Sequence, residues 1–243
     1  MVTMRSRISR RSLGRALPPI LAALVIGACG STVQEGSELT VYASAPLAGP
    51  DARVGRALVD GMEDALAEAG GEAGGAPITL EVLDDTSPPA GGGPRVWTQA
   101  QIGANARAAA EDSVSIAYLG EAAPSATRLS APITNEAGIP QISPGPVDPA
   151  VLAEPGGNDV PPEFQSSGER TVIALGEPGE RLDPDGAEAA GREAMALLLD
   201  AIGRAVNPLD RASVTAALLD TSGRTSPLGT YSISPTGQAG FAP

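Results

Sequence analysis

A parallel α/β sheet covered by helices on both faces is the fold class this sequence predicts. Two observations carry it. From Leu39 to Ser143, short β-rich runs alternate with amphipathic helical stretches, and strands joined through helices build parallel sheets. The chain of 243 residues also holds only two Phe, three Tyr and one Trp, so its core must come from Ala, Leu, Ile and Val, the small and branched residues of closely packed helix-on-sheet layers.

The elements follow in order. Leu39–Ala45, "LTVYASA", reads as the first strand. Between Arg53 and Ala69, Val54, Leu58, Gly61, Met62, Ala65 and Leu66 fall on one helical face. Ile78–Leu83 is the second strand, closed by Asp84 and Asp85, which the pattern reads as solvated turn acids. Thr98 can cap an alanine-rich helix to Ala110. Residues 114–120, "VSIAYLG", give the third strand. Ser125 caps a helix to about Ala137, stopped by Gly138, and "IPQIS" (139–143) is the fourth strand. Ligands of such sheets bind beyond the carboxyl ends of the strands, which points to the loops 43–51, 84–89, 120–127 and 143–149. After "RTVIAL" (170–175), a helix from about Gly186 to Ala205 aligns Ala190, Ala194, Leu197, Leu198, Ala201 and Ala205. That stripe is expected to lie against the sheet, because it would otherwise stay wet. Asp210 caps a shorter helix to Leu219, and Tyr231 and Ile233 share one side of a terminal strand.

The amino terminus has a different character. Arg5, Arg7, Arg10, Arg11 and Arg15 precede an apolar run from Ala16 to Ala28, and no acid stands among them. This is a basic region, a short hydrophobic region and small residues, in the order of a secretory signal. Thirteen residues of helix reach about 20 Å, short of the roughly 30 Å hydrocarbon core. Ile26-Gly27-Ala28-Cys29 resembles the bacterial lipobox, which makes Cys29 a lipidation site. Cys29 is the only cysteine and the chain has no histidine, so neither a disulfide nor a zinc site accounts for it. Arg10-Arg11 matches a twin-arginine signal poorly.

All sixteen basic residues are arginine, and from Cys29 onward eleven of them face 29 acids, a formal charge of −18. Such a chain repels nucleic acid and anionic headgroups. Catalytic equipment is sparse. Without histidine there is no ordinary general base, and Cys29 is committed to the anchor. "GEAGG" (71–75) and "GGG" (91–93) lack the Lys-Ser/Thr of a phosphate-binding loop. The reading is a protein that is not an enzyme, with no catalytic residues, no metal and no cofactor.

Five stretches in order carry a family likeness: "LTVYASAPLAGPDARVGRALVDGMEDALAEAGG", "ITLEVLDDTSPP", "SIAYLGEAAPSATRLSAPITNEAGIPQISP", "DGAEAAGREAMALLLDAIGRA" and "GRTSPLGTYSISPTG". Over roughly 39–150 and 185–240 the chain resembles the leucine/isoleucine/valine-type solute-binding proteins of ABC importers. These are two-lobed receptors of the type I periplasmic-binding fold. The resemblance implies a three-layer parallel-sheet lobe and an extracytoplasmic amino-acid receptor anchored to the cell membrane by lipid. Its implied partners are a small amino-acid-like solute and the importer's membrane subunits. It also implies that the loops after the third and fourth strands hold the ligand, which carries over here onto Ser125, Thr127, Ser143 and Gly145. The departure lies between the "ISP" loop and the helix near Gly186. Well over a hundred residues usually stand there, and here about 35 do. Each crossover unit needs about thirty, so the second lobe is expected to be absent or vestigial. The implied organisation is a signal peptide (1–28), a lipid-proximal linker (29–37), the amino-terminal part of the first lobe (38–153), a Gly/Pro-rich link (154–185), and carboxy-terminal helices with a terminal strand packing on that lobe (186–243). One lobe should capture solute weakly. The alternative is a degenerate, non-transport lobe serving as an interaction or dimerisation module, with a homodimer restoring a cleft.

Overall fold

The computed structural model describes residues 38–153, 162–177 and 182–242. The signal, the linker and Cys29 lie outside the described residues, as do 154–161 and 178–181 of the link. In chain order the elements are β1 (Leu39–Ala45), α1 (Ala52–Glu68), β2 (Glu72–Ala73), β3 (Ala76–Asp84), β4 (Thr86–Ser87), β5 (Val96–Trp97), α2 (Gln99–Glu111), β6 (Ser115–Leu119), α3 (Pro124–Glu136), β7 (Gln141–Ser143), β8 (Val172–Ala174), α4 (Pro184–Arg204), α5 (Arg211–Leu219), β9 (Arg224–Ser226), β10 (Gly229–Ile233) and β11 (Ala239–Phe241).

Six strands form one sheet in the order β2-β3-β1-β6-β7-β8. All its pairings are parallel except the two-residue hairpin of β2 with β3. β1 is central: Val41 sits opposite Leu80 on one side and Ala117 on the other. Buried on both faces, β6 is an uninterrupted apolar run after Ser115, the usual signature of an inner parallel strand. Helices α1, α4 and α5 cover one face over a core of Leu39, Val41, Leu58, Met62, Leu198 and Val214. Helices α2 and α3 cover the other, where Ala106, Ala109, Tyr118 and Ile139 meet. The three-layer α/β lobe predicted from sequence is the fold observed. The internal stretches outside the described residues are eight and four residues long, too short for a second α/β unit.

The alanine/leucine stripe of α4 is buried as expected, with Ala194, Leu197, Leu198 and Ala201 fully covered. It packs mainly along α1 and touches β2 and β6. Two glycines set that approach. A Cβ on Gly61 would stand 2.1 Å from the Glu188 carbonyl oxygen, and one on Gly191 2.0 Å from that of Leu58.

Several local expectations hold and several need correction. The Thr98 hydroxyl accepts from Gln101 N at 3.3 Å and the Asp210 carboxylate from Ser213 N at 3.1 Å, so both caps stand. Ser125 is not a cap. The cap position of α3 is Ala123, without a side-chain bond, and Pro124 is the first helical residue. Proline's fixed φ favours that position and starts the helix two residues early. α4 likewise begins at Pro184, capped by Asp183 onto Gly186 N at 2.8 Å. The Gly/Pro stretch 87–94 is the turn of the β4–β5 hairpin, in which Thr86 pairs with Trp97. The carboxy-terminal strand belongs to a separate three-stranded antiparallel sheet, β11-β10-β9. Within the stretch read as a link, Val172–Ala174 is the sixth strand of the main sheet, and Phe164 is buried beside Val147, Val151 and Leu152.

Candidate functional site

The strand order reverses between β1 and β6. From β1 the chain moves outward to β3, while β6 continues the sheet on the opposite side. Loops leaving the carboxyl ends of these two strands therefore diverge and open a crevice, the usual ligand position in such sheets. A cavity of about 390 Å³ lies there. Pro46 and Asp51 come from the loop after β1, Asp85 follows β3, Trp97 is in β5, and Ala122 to Pro124 lead into α3. A second, larger cavity of about 530 Å³ shares Pro146 and Leu182 with it and extends past the ends of β7 and β8 to Leu228 and Phe241. The smaller one is the candidate site, because it lies where β1 and β6 part and holds the buried carboxyl of Asp85 in its lining.

The two acids at the end of β3 have opposite fates. Asp84 Oδ1 accepts from Leu47 N at 3.1 Å, Thr86 N at 3.0 Å and Thr86 Oγ1 at 2.8 Å, and Oδ2 meets Arg95 at 3.0 Å. Burial pushes the Asp84 carboxyl up, but these donors outweigh it and hold the group below its ordinary value. Asp85 is 2% exposed, and its Oδ1 is buried without a hydrogen-bond partner. Burial first, then the charges of Asp84 and Asp51, push its carboxyl up to about 7. The expected solvated turn acid is thus a buried one. Its N–H donates to the Ala45 carbonyl at 3.0 Å and its own carbonyl accepts from Thr98 N at 3.2 Å, so the backbone is pinned on both sides and turns the side chain inward.

Below the crevice floor lies a polar network that composition did not reveal. Glu121 is wholly buried. Its carboxyl accepts from Tyr118 OH at 2.7 Å and from Ser44 Oγ at 3.0 Å, and Ser44 Oγ in turn accepts from Asn105 Nδ2 at 3.0 Å. Burial dominates and pushes the Glu121 carboxyl up to about 8 despite the hydrogen bonds. Gln141 Nε2 donates to the Gly120 carbonyl at 2.9 Å and to Ser130 Oγ at 2.8 Å, and Thr134 donates to Gln141 Oε1 at 2.7 Å. These bonds clamp the loop that carries α3. The one available sequence signal for Glu121 was an acid placed immediately after an apolar strand.

The four residues carried over by family resemblance are placed as follows. Ser125 is exposed in the first turn of α3, next in the chain to Pro124 of the cavity lining. Its N–H is among the first-turn donors that lack an intrahelical acceptor. Thr127 is buried and its hydroxyl donates to the Ala123 carbonyl at 3.4 Å. Ser143 is buried and its hydroxyl donates to the Glu121 carbonyl at 2.9 Å and to that of Gly145 at 3.1 Å. Gly145 is covered by Leu182, whose Cδ1 would lie 2.8 Å from an added Cβ. Among the described residues, no group of three or more His, Cys, Asp or Glu side chains is gathered to hold a metal ion.

No family model matches the chain. No curated protein matches it either. Solved structures do. A leucine-binding protein from Thermotoga maritima is 16% identical, with a TM-score of 0.60 over 83% of this chain and 93% of that one. An ABC transporter substrate-binding protein from Sphaerobacter thermophilus is 11% identical, with a TM-score of 0.61 over 84% and 91%. A solute-binding protein of an ABC transporter from Rhodopseudomonas palustris, in complex with benzoate, is 15% identical, with a TM-score of 0.58 over 84% and 91%. The described α/β lobe therefore has the fold of one lobe of the type I periplasmic-binding proteins. The likeness to these solute-binding proteins of ABC transporters is one of fold.

Proposed function

We propose that this protein is an extracytoplasmic solute-binding lipoprotein of the ABC-importer type, tethered to the cell membrane through Cys29, and that it captures a small amino-acid-like solute weakly. The crevice where β1 and β6 part is the observation that carries this reading. It has the volume of a small-molecule site, a helix amino terminus on one side and carboxylates on the other. Its partners on this reading are that solute and the importer's membrane subunits.

The single-lobe architecture supports weak capture. Solute receptors of two lobes bury their ligand by closure, which excludes water and adds hydrogen bonds. A single shelf leaves the ligand's polar groups in competition with water. Calorimetry of the purified protein against leucine, valine and a panel of amino acids should give dissociation constants in the millimolar range. Ser125→Pro removes one amide donor at a helical position that tolerates proline, and it should weaken binding several-fold without unfolding α3. A micromolar constant in the monomer would overturn weak capture. A stable dimer with no heat from any solute would favour the interaction-module reading instead.

The tether has its own test. Cells fed a labelled fatty acid should label the wild-type protein and leave Cys29→Ala unlabelled. Equal labelling would remove the anchor from this account.

A further inference from the structure

We propose that the crevice between β1 and β6 takes a small amine cation, its ammonium group seated on Asp85 with Asp51 at the rim. This inference rests on the solute-binding reading above and names the class of solute.

Asp85 Oδ1 is buried with no hydrogen-bond partner, in a side chain that is 2% exposed and lines the cavity. A carboxylate withdrawn from water needs donors, and an orphaned one requires an explanation. An ammonium group brings three N–H donors and the opposite charge.

The charge of the lining points the same way. Asp51 and Asp85 line the cavity, and no arginine does among the described residues. Arg95 is occupied by Asp84 and by the hydroxyl and carbonyl of Thr86. Asp84 on β3 and Asp51 at the cap of α1 face Asp85 as acids, while Glu121 after β6, raised to about 8 by burial, joins that field only above it. A solute carboxylate would meet this field with only the amides of α3 to hold it. Trp97, Val54 and Pro46 supply the apolar wall, and indole is the side chain most favourable to a nearby cation. Burial and neighbouring acids keep Asp85 protonated until about pH 7. The seat should therefore strengthen as the pH rises through that value.

Three solutes that share an isobutyl group test this: 3-methylbutylamine, leucine and 3-methylbutanoate. Each would be titrated into the purified full-length protein by ligand-observed NMR at pH 8 and pH 5.5. The amine should bind best at pH 8 and roughly tenfold more weakly at pH 5.5, and 3-methylbutanoate should not bind. Asp85→Asn mimics the protonated acid in shape and should reduce amine binding at pH 8 by roughly tenfold or more. Asp51→Asn, at an exposed position, should cost a few-fold and guards against a folding defect in the first variant. Leucine binding that persists in Asp85→Asn, with no response to the amine in either protein, would overturn the ammonium seat and leave the solute-binding reading standing. No response to any of the three would overturn both.

Discussion

Gly191→Ala should be among the most destabilising single substitutions in this protein. One methyl group at that position would sit 2.0 Å from the Leu58 carbonyl oxygen, and the reciprocal contact, Gly61 to the Glu188 carbonyl, is 2.1 Å. Both obstacles are helix backbone, so no rotamer change relieves them. α1 and α4 would have to separate, loosening Leu58, Met62, Ala194 and Leu198 together. Overpacking of this kind costs about 3 kcal/mol, or more where backbone must move. The melting temperature should fall by on the order of 10 °C for a domain of this size. Gly203→Ala is the control. It lies in the same helix with nothing within 4 Å of an added Cβ. There the better helix propensity should leave stability unchanged or raise it by up to about 1 kcal/mol. Equal melting temperatures for Gly191→Ala and wild type would refute the interlocked helix pair.

Stability should decline as the pH rises from 5 to 9, and Glu121→Gln should remove much of that slope. The Glu121 carboxyl titrates near 8 in the fold because it is buried, whereas an unfolded chain releases that proton near 4.3. The folded state therefore holds more protons throughout this window. Its contribution to stability is fully present below the unfolded value and lost as the pH passes through about 8. A shift of this size amounts to on the order of 5 kcal/mol. Asp85, raised to about 7, adds a smaller contribution of the same sign. Repulsion among the many surface acids also acts in that direction, so the comparison of variant with wild type isolates Glu121. The amide introduced by Glu121→Gln would keep an acceptor for Tyr118 OH and offer a donor to Ser44 Oγ. Denaturant midpoints measured across the pH range should converge near pH 5 and diverge at pH 9, with the variant the more stable. Parallel curves would show that Glu121 is not held protonated by the fold.

What the sequence determined by itself is what depends on near neighbours along the chain. Apolar periodicity placed α1 and α4, because a helix that buries one face needs its residues three and four apart. Thr98 and Asp210 were legible as caps, since each closes a bond only three residues ahead. The alternation of strands and helices led to a parallel sheet, because its crossovers admit no other arrangement. The loops expected to carry a site were legible for the same reason. Tertiary structure alone decided which side chains those loops present. Asp84 and Asp85 are identical in sequence terms, yet one is bound by Arg95 and Thr86 while the other is sealed in by contacts with Ala45 and Thr98, residues 40 and 13 positions away. Glu121 is buried only because Ser44 and Tyr118 close over it, and Ser44 lies 77 residues distant. The hydroxyls of Thr127 and Ser143 found their partners in the same way, at the carbonyls of Ala123 and Glu121. Burial and partner choice belong to the folded assembly of distant segments, and they set the charge and the donors of this crevice.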